Sequence, residues 1–368
     1  MQHDFFIFAA EASGDLLGAD LIENLLKTSS FSIQAVAGEK MRSFKVDCFI
    51  ASEEFHVMGF LDVLKNFKKL CQLFKKIKLH LLENPPRVLV LIDYPGFNLR
   101  LAKALKKNGF PSPIIQYVCP TIWAWKKNRF YTLEKYFDHI FCLFPFEPKI
   151  FEKSHVKAIY VGHPLLKKIK KNPGDPKKTI ISIFPGSRES VVKRNLPLQL
   201  EVAKQASQRK LGISYSSEKI KQILEAEIKK RKIKNCFFFP SKLNHHYMLK
   251  SIGALSTSGT INLELALLHV PSLIFYKTSW FDYLIAKYIF KIKLPFYCIV
   301  NIVAGKQIYP EFYGFRPDKK KAFSILKEIN DNKNCQENYK KETYLLREAF
   351  ERENEIKNPI NEILNYLK

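Results

Sequence analysis

The sequence predicts an α/β chain of two domains, each built on a parallel β-sheet with helices on both faces. Three observations predict it. Short, wholly apolar runs alternate with longer stretches in which apolar side chains recur every three to four positions, the pattern of buried parallel strands and their crossover helices. That cycle begins near the first residues and begins again at Thr179. The chain also has 368 residues and a 46% hydrophobic composition, enough apolar mass for two cores.

In order, Phe5 to Ala9 reads as a strand, and Leu16, Leu17, Ala19, Leu21, Ile22, Leu25 and Leu26 as the apolar face of the helix after it. Arg87 to Ile92 reads as a six-residue buried strand running into Asp93, with a helix from about Leu99. Ile114 to Val118 and His139 to Phe144 continue the first sheet. Gly162 to Lys178 combines Pro, Gly and many lysines without an apolar period and reads as a linker or hinge. The second sheet takes Ile180 to Phe184, Cys236 to Phe239, Ala254 to Ser256 and Ser272 to Phe275. Near the end, Tyr344, Leu345, Ala349 and Phe350, then Ile360, Ile363, Leu364 and Leu367, fall at helical spacing with Pro359 forcing a break. The expected domains are therefore 1–164 and 165–343, with terminal helices over 344–368 that pack back on the N-terminal domain. No repeat of 20 to 50 residues is visible, which excludes solenoids and propellers.

Sixty Lys and Arg against 35 Asp and Glu give a net charge of +25. Residues 318–368 hold 11 basic and 10 acidic side chains, so the excess sits in the body. Such a body attracts nucleic acid, anionic membrane or phosphorylated small molecules. The start, MQHDFFIFAAEASGD, has no basic segment, and Asp4 and Glu11 interrupt the apolar run a signal peptide needs, so a cytoplasmic protein is expected. Seven cysteines without a Cys-x-x-Cys support neither a disulfide framework nor a thiolate zinc site. No metal and no cofactor is expected: the P-loop, dinucleotide, nucleophile-elbow and zincin motifs are all missing from the sequence, and His245-His246 face two ways on any regular element.

Ligands of open parallel sheets bind at the carboxyl ends of the strands, where helix N-termini present free N–H groups. Four loops fall there. Glu11-Ala12-Ser13-Gly14-Asp15 permits close backbone approach, or is a turn capped by Ser13 or Asp15. Asp93, before Tyr94-Pro95-Gly96-Phe97-Asn98, either takes a proton from a hydroxyl over the crevice or caps the next helix. Pro185-Gly186-Ser187-Arg188 joins a glycine turn to a guanidinium fork suited to diphosphate oxygens. Ser256 to Thr260, with Ser258 and Gly259, is a hydroxyl-rich helix entrance, and Glu264 one turn on suits a ribose diol or simply the helix N-terminus.

Phe60 to Leu82 places Leu61, Val63, Leu64, Phe67 and Leu70 beside Lys65, Lys68 and Lys69. Such a helix lies on an anionic membrane with its apolar face down, or packs on the sheet with a solvated basic face.

These loops resemble those of the lipid-A-disaccharide synthases, the inverting glycosyltransferases of lipid A assembly. Ala10 to Asp15, Val57-Met58-Gly59-Phe60, Ile92 to Asn98, Cys119-Pro120-Thr121-Ile122-Trp123-Ala124-Trp125, Leu143 to Glu147, Gly162-His163, Pro185 to Arg188, Ser258 to Glu264 and Asn301 to Glu311 follow in the family's order. The resemblance runs from the first strand to about residue 316 and is loose over 205–250. Cys119 replaces a Ser, Gly96 stands where members often have a second Asp, and Val191 where many have Glu. The resemblance implies a GT-B architecture, two Rossmann-like domains facing a cleft. It also implies transfer of diacylglucosamine from UDP-2,3-diacylglucosamine to 2,3-diacylglucosamine 1-phosphate (lipid X), giving the β-1,6-linked disaccharide 1-phosphate and UDP without a metal. Asp93 and Glu11 are then the candidate catalytic residues, Asp93 as general base. Ser187, Arg188, Ser258, Gly259, Thr260, Glu264 and Asn301 are the candidate substrate-binding residues. The protein is expected at the inner membrane surface, with a homodimer left open. Two rivals remain: another UDP-sugar GT-B enzyme, and a nucleic-acid-binding protein. The second would interleave aromatics and basic residues along one groove, whereas the aromatics here sit in motif loops.

Overall fold

A computed structural model describes residues 2–55, 67–124, 127–171, 174, 176–206, 209–278, 294–352 and 355–367. The chain divides into two compact units, Met1–Pro164 with Arg352–Lys368, and Leu165–Glu351.

The first unit carries β1 (Phe5–Ala9), α1 (Ala12–Leu26), β2 (Ile33–Ala37), α2 (Glu39–Arg42), β3 (Asp47–Ala51), α3 (Phe67–Glu83), β4 (Val88–Ile92), α4 (Pro95–Lys107), β5 (Ile114–Tyr117), α5 (Arg129–Tyr136), β6 (His139–Cys142) and β7 (Lys157–Tyr160). Its seven strands are ordered β3-β2-β1-β4-β5-β6-β7, and every pair is parallel. Successive residues of each strand serve opposite cores. Phe6, Phe8, Leu89 and Leu91 pack with Ile77 and Leu81 of α3, with α4 and with α5. Phe5, Ile7, Val88, Val90 and Ile92 pack with α1 and with Ile360 and Ile363 of the C-terminal return. This two-sided burial is why the strands read as continuous apolar runs rather than alternating ones.

The second unit carries α6 (Pro164–Lys168), shared with the boundary, β8 (Ile180–Phe184), α7 (Glu189–Ala206), β9 (Lys210–Tyr215), α8 (Glu218–Lys230), β10 (Cys236–Pro240), α9 (Asn244–Leu249), β11 (Ser251–Thr257), α10 (Ile261–Leu267), β12 (Ser272–Lys277), α11 (Ile299–Ala304), β13 (Glu311–Gly314), α12 (Lys319–Asp331) and α13 (Lys333–Phe350). Its parallel sheet is ordered β10-β9-β8-β11-β12-β13.

Two expectations change. All of α13 stays with the second unit, so 344–350 do not return with the terminal segment; α14 (Pro359–Leu364) does, through Ile360 and Ile363. The reason is Arg347, which is 2% exposed: its guanidinium donates to the carbonyls of Ile169, Lys170 and Leu267, and its Nε to Glu351. That buried fork ties the end of α13 to the stretch expected to be a free linker.

The second change concerns α3. Leu61, Val63, Leu64 and Lys65 lie outside the described residues, as does the Phe67 side chain. Leu70, expected to face a membrane, packs instead against the first core together with Leu73, Phe74 and Leu82. Burying Ile77 and Leu81 alone stabilises by about 2 kcal/mol each, so the apolar face of the described helix belongs to the sheet. Lys68 is exposed, and Lys69 sits 2.6 Å from Glu54, a surface ion pair.

Candidate functional site

In the first unit the strand order reverses between β1 and β4, the switch point where open sheets bind ligands. Asp93 follows the last residue of β4 and is half-buried. Its backbone is left-handed, with φ of 51°, and that of Tyr94 follows at 43°. These conformations are sterically unfavourable for residues with a Cβ, and two buried amides hold them. Asn98 Nδ2 donates to the Asp93 carbonyl. Gln116 Nε2 donates to the same carbonyl at 3.1 Å and to Val118 O at 3.2 Å, where a second left-handed residue, φ 77°, ends the neighbouring strand. The N-cap of α4, Tyr94, has no side-chain cap. Burial pushes the Asp93 carboxyl above its ordinary value; the Tyr94 N–H and Ser13 hydroxyl partly oppose this. Ser13 Oγ lies 3.5 Å from Asp93 Oδ2, at the long limit of a hydrogen bond.

Glu11 occupies the exposed N-cap position of α1 without capping it. Asp15 does not cap α1 either. It accepts from the N–H groups of Gly38, Lys40 and Met41 at 2.9 to 3.1 Å and so caps α2. A Cβ on Gly38 would come within 2.5 Å of that carboxyl group, which is why a glycine stands there.

Beside this crevice, Glu147 is buried and accepts from Trp123 Nε1 at 3.2 Å and from the N–H groups of Leu143 and Phe144 at 3.1 Å each. Burial raises its pKa to about 7 against these donors. It clasps the tryptophan loop to the loop after β6; Trp125 lies outside the described residues. The donor atoms of Cys119, Cys142 and Glu147 lie within 4.8 Å of one another, the one such trio among the described residues and one that the sequence spacing did not reveal. The two Glu147 oxygens are already engaged with N–H donors.

The second sheet reverses between β8 and β11. Here the carboxyl ends of β8, β9 and β11 line a pocket of about 430 Å³ formed by Phe184 to Arg188, Val191, Ser214, Ser216, Ser241, Asn244 and Thr257 to Ile261. Ser187, Arg188, Ser258, Gly259 and Thr260 are thus brought together, with Ser187, Arg188, Gly259 and Thr260 exposed to its mouth. Gly186 turns the chain with φ of 102°, where a Cβ would crowd Thr257 and Val191 at 3.1 Å. The Val191 that departs from the family pattern therefore lies in the pocket wall itself. Glu264, one turn into α10, holds its Oε2 2.7 Å from His245 Nε2.

Asn301 is not available to a substrate. It is 0% exposed; its amide donates to Tyr309 O and Glu311 Oε1, and its carbonyl accepts from Ile308 N and Tyr309 N, all at 2.7 to 2.8 Å. Both donors and both acceptor sites are spent on the backbone of Ile308 and Tyr309 and on the Glu311 carboxylate. Glu311 likewise accepts from Tyr297 and Cys298 N–H at the start of α11. The Asn301-to-Glu311 block is a fold device.

Two successive Rossmann-type sheets, one ending in a held carboxylate and the other in a glycine, hydroxyl and arginine pocket, define a protein of the GT-B fold class. Among solved structures, Arabidopsis thaliana UGT89C1 complexed with UDP is similar with a TM-score of 0.61 at 14% identity, covering all of both chains, a likeness of fold. The sequence profile of the family described as lipid-A-disaccharide synthetase matches residues 5–364, and the chain belongs to that family. The lipid-A-disaccharide synthase of Chlamydia pneumoniae is 35% identical over 326 residues, 85% of this chain and 54% of that protein. The one from Coxiella burnetii is 33% identical over 324 residues, 83% of each. The chain thus spans about half the length of the chlamydial relatives.

Proposed function

We propose that this chain joins a diacylglucosamine unit from UDP-2,3-diacylglucosamine to the primary hydroxyl of 2,3-diacylglucosamine 1-phosphate, releasing UDP and the β-1,6-linked disaccharide 1-phosphate. The observation that carries the reading is the family match over residues 5–364. The site supplies the chemistry it needs. Asp93 accepts the proton of the acceptor hydroxyl, the freed oxygen attacks the anomeric carbon from the face opposite the diphosphate, and the bond to UDP breaks with inversion. A carboxylate whose pKa is raised is a stronger base than an ordinary one, provided it stays ionised at the working pH. The leaving charge is met by Arg188 and by N–H and hydroxyl groups of Ser187 and the 258–260 loop, donors placed where charge develops. Glu264 takes the ribose diol. In this reading the diphosphate is stabilised without a divalent cation. Glu11, exposed beside the same crevice, contributes charge next to Tyr94, whose pKa is raised by burial and by Glu11.

Both substrates carry acyl chains, so the reaction belongs at a membrane surface on the cytoplasmic side. No helix among the described residues is long and apolar enough to cross a membrane. The solvent side of α3, with exposed Lys68, Lys75 and Lys76, favours electrostatic attachment to anionic lipid. Mass spectrometry of products formed on anionic vesicles carrying both substrates tests the proposal. The disaccharide phosphate and UDP are expected, undiminished by EDTA, with vesicle binding that fades as salt rises. Folded protein that yields neither product overturns the activity, and loss of activity to EDTA restored by magnesium overturns the metal-free account.

A further inference from the structure

Residues 205–250 resemble the family least, and the adjacent histidines within them had no role in the sequence. The fold gives one of them a position. Ser214 at the end of β9 and Asn244 at the start of α9 both line the nucleotide pocket and are joined, Ser214 Oγ donating to Asn244 Oδ1 at 2.7 Å. That contact fixes the first residue of α9 against the pocket wall. The next residue, His245, places its Nε2 2.7 Å from Glu264 Oε2, while His246 turns outward against Tyr247. The pair lies next to the pocket lining, one residue after Asn244 and one helical turn after Thr260, and is partly open to solvent, with side-chain exposures of 30% for His245 and 19% for Glu264.

A carboxylate only accepts hydrogen bonds, so Nε2 carries the proton in this contact. Glutamate is a long side chain that loses rotamer freedom when a ligand fixes it. To receive two vicinal hydroxyls its carboxylate plane must be set, and a donor holding one oxygen sets it before the ligand arrives, which lowers the ordering cost of binding. We infer that His245 is the positioning residue of the nucleotide pocket: it pre-orients Glu264 for a ribose diol and thereby gives the site its preference for ribonucleotides over deoxyribonucleotides. The inference rests on the assignment of Glu264 to the ribose.

The test is calorimetric titration of UDP and 2′-deoxy-UDP into the wild type, Glu264→Ala, His245→Ala and His245→Gln. Wild type is expected to bind UDP more tightly than 2′-deoxy-UDP, and Glu264→Ala to bind the two alike. His245→Ala should weaken UDP about three- to tenfold, the range of one hydrogen bond, and 2′-deoxy-UDP much less. His245→Gln, which keeps an N–H donor at similar reach, should restore most of the preference. In turnover, His245→Ala should raise the KM for the UDP-sugar more than it lowers kcat. Equal weakening of both nucleotides would mean that the pair merely ties α9 to α10, and unchanged binding would remove its role altogether; either overturns the inference. If Glu264→Ala keeps the wild-type preference, the ribose assignment itself falls, a result distinct from failure of His245 alone.

Discussion

The two sheets share a strand order, and each has its switch point at the same place, yet the chain turns there by opposite means. At the end of β8 the positive φ is given to Gly186, which adopts it at no steric cost. At the ends of β4 and β5 it is given to Asp93, Tyr94 and Val118, each at an expense on the order of 1–2 kcal/mol. In the second unit the turn residue itself carries no side chain, and Ser187 and Arg188 follow it. In the first unit the left-handed turn carries side chains, and Asn98 and Gln116 hold it through the Asp93 carbonyl. A polar strand residue in one unit thus does what a missing side chain does in the other.

Three variants sharpen or break this contrast. Asp93→Asn keeps the shape and removes the basicity, so turnover is expected to fall by roughly a hundred- to ten-thousandfold while UDP affinity, measured by calorimetry, holds. Because burial raises the folded-state pKa of Asp93 above its unfolded value, its ionisation destabilises the fold as pH rises through that folded pKa. The same variant should therefore melt at a higher temperature at neutral pH. It should also erase the limb of the pH–rate profile on which wild-type activity climbs as Asp93 loses its proton. Unaltered turnover in folded Asp93→Asn would end its assignment as base.

Arg188→Ala, in the second unit, should behave differently. It should lower both UDP affinity and kcat, the latter by roughly a hundredfold, because the diphosphate gains charge in the transition state. A loss confined to affinity would place Arg188 on the ground state alone. The smallest effect is expected from Gln116→Leu, which preserves volume and removes the donors that hold Asp93 and Val118. Turnover should drop on the order of tenfold from misplacement of the base, with UDP binding untouched. Equal loss of both would show that Gln116 supports the fold rather than the angle of Asp93.

The central strands were legible because both of their faces are buried, which leaves nothing but apolar residues to read. Strands such as Asp47–Ala51 and Lys210–Tyr215 escaped notice because an edge position or a Gly-Ile-Ser stretch mixes polar residues into five or six positions. The loops bearing Ser187, Arg188 and Ser258 to Thr260 were legible from their chemistry. Asn301 was not, since a motif written into a family looks the same whether it serves a ligand or a buried turn. Gln116 leaves a signal, a lone amide in the apolar run Ile114 to Val118, but a strand position alone does not tell what a buried amide holds. His245 left none, because its partner is 19 residues away and only the packing of α9 beside α10 brings them together.

The return of residues 352–368 to the first unit has a consequence for synthesis. The second unit is contiguous, so the ribosome delivers all of it, Arg347 included, before Ile360 and Ile363 emerge to join the core beneath β1 and β4. Domains of a nascent chain generally complete in order from the N-terminus. Here the order inverts: of the two units, the one begun first is the last to receive all of its core, after the whole of its neighbour has been translated.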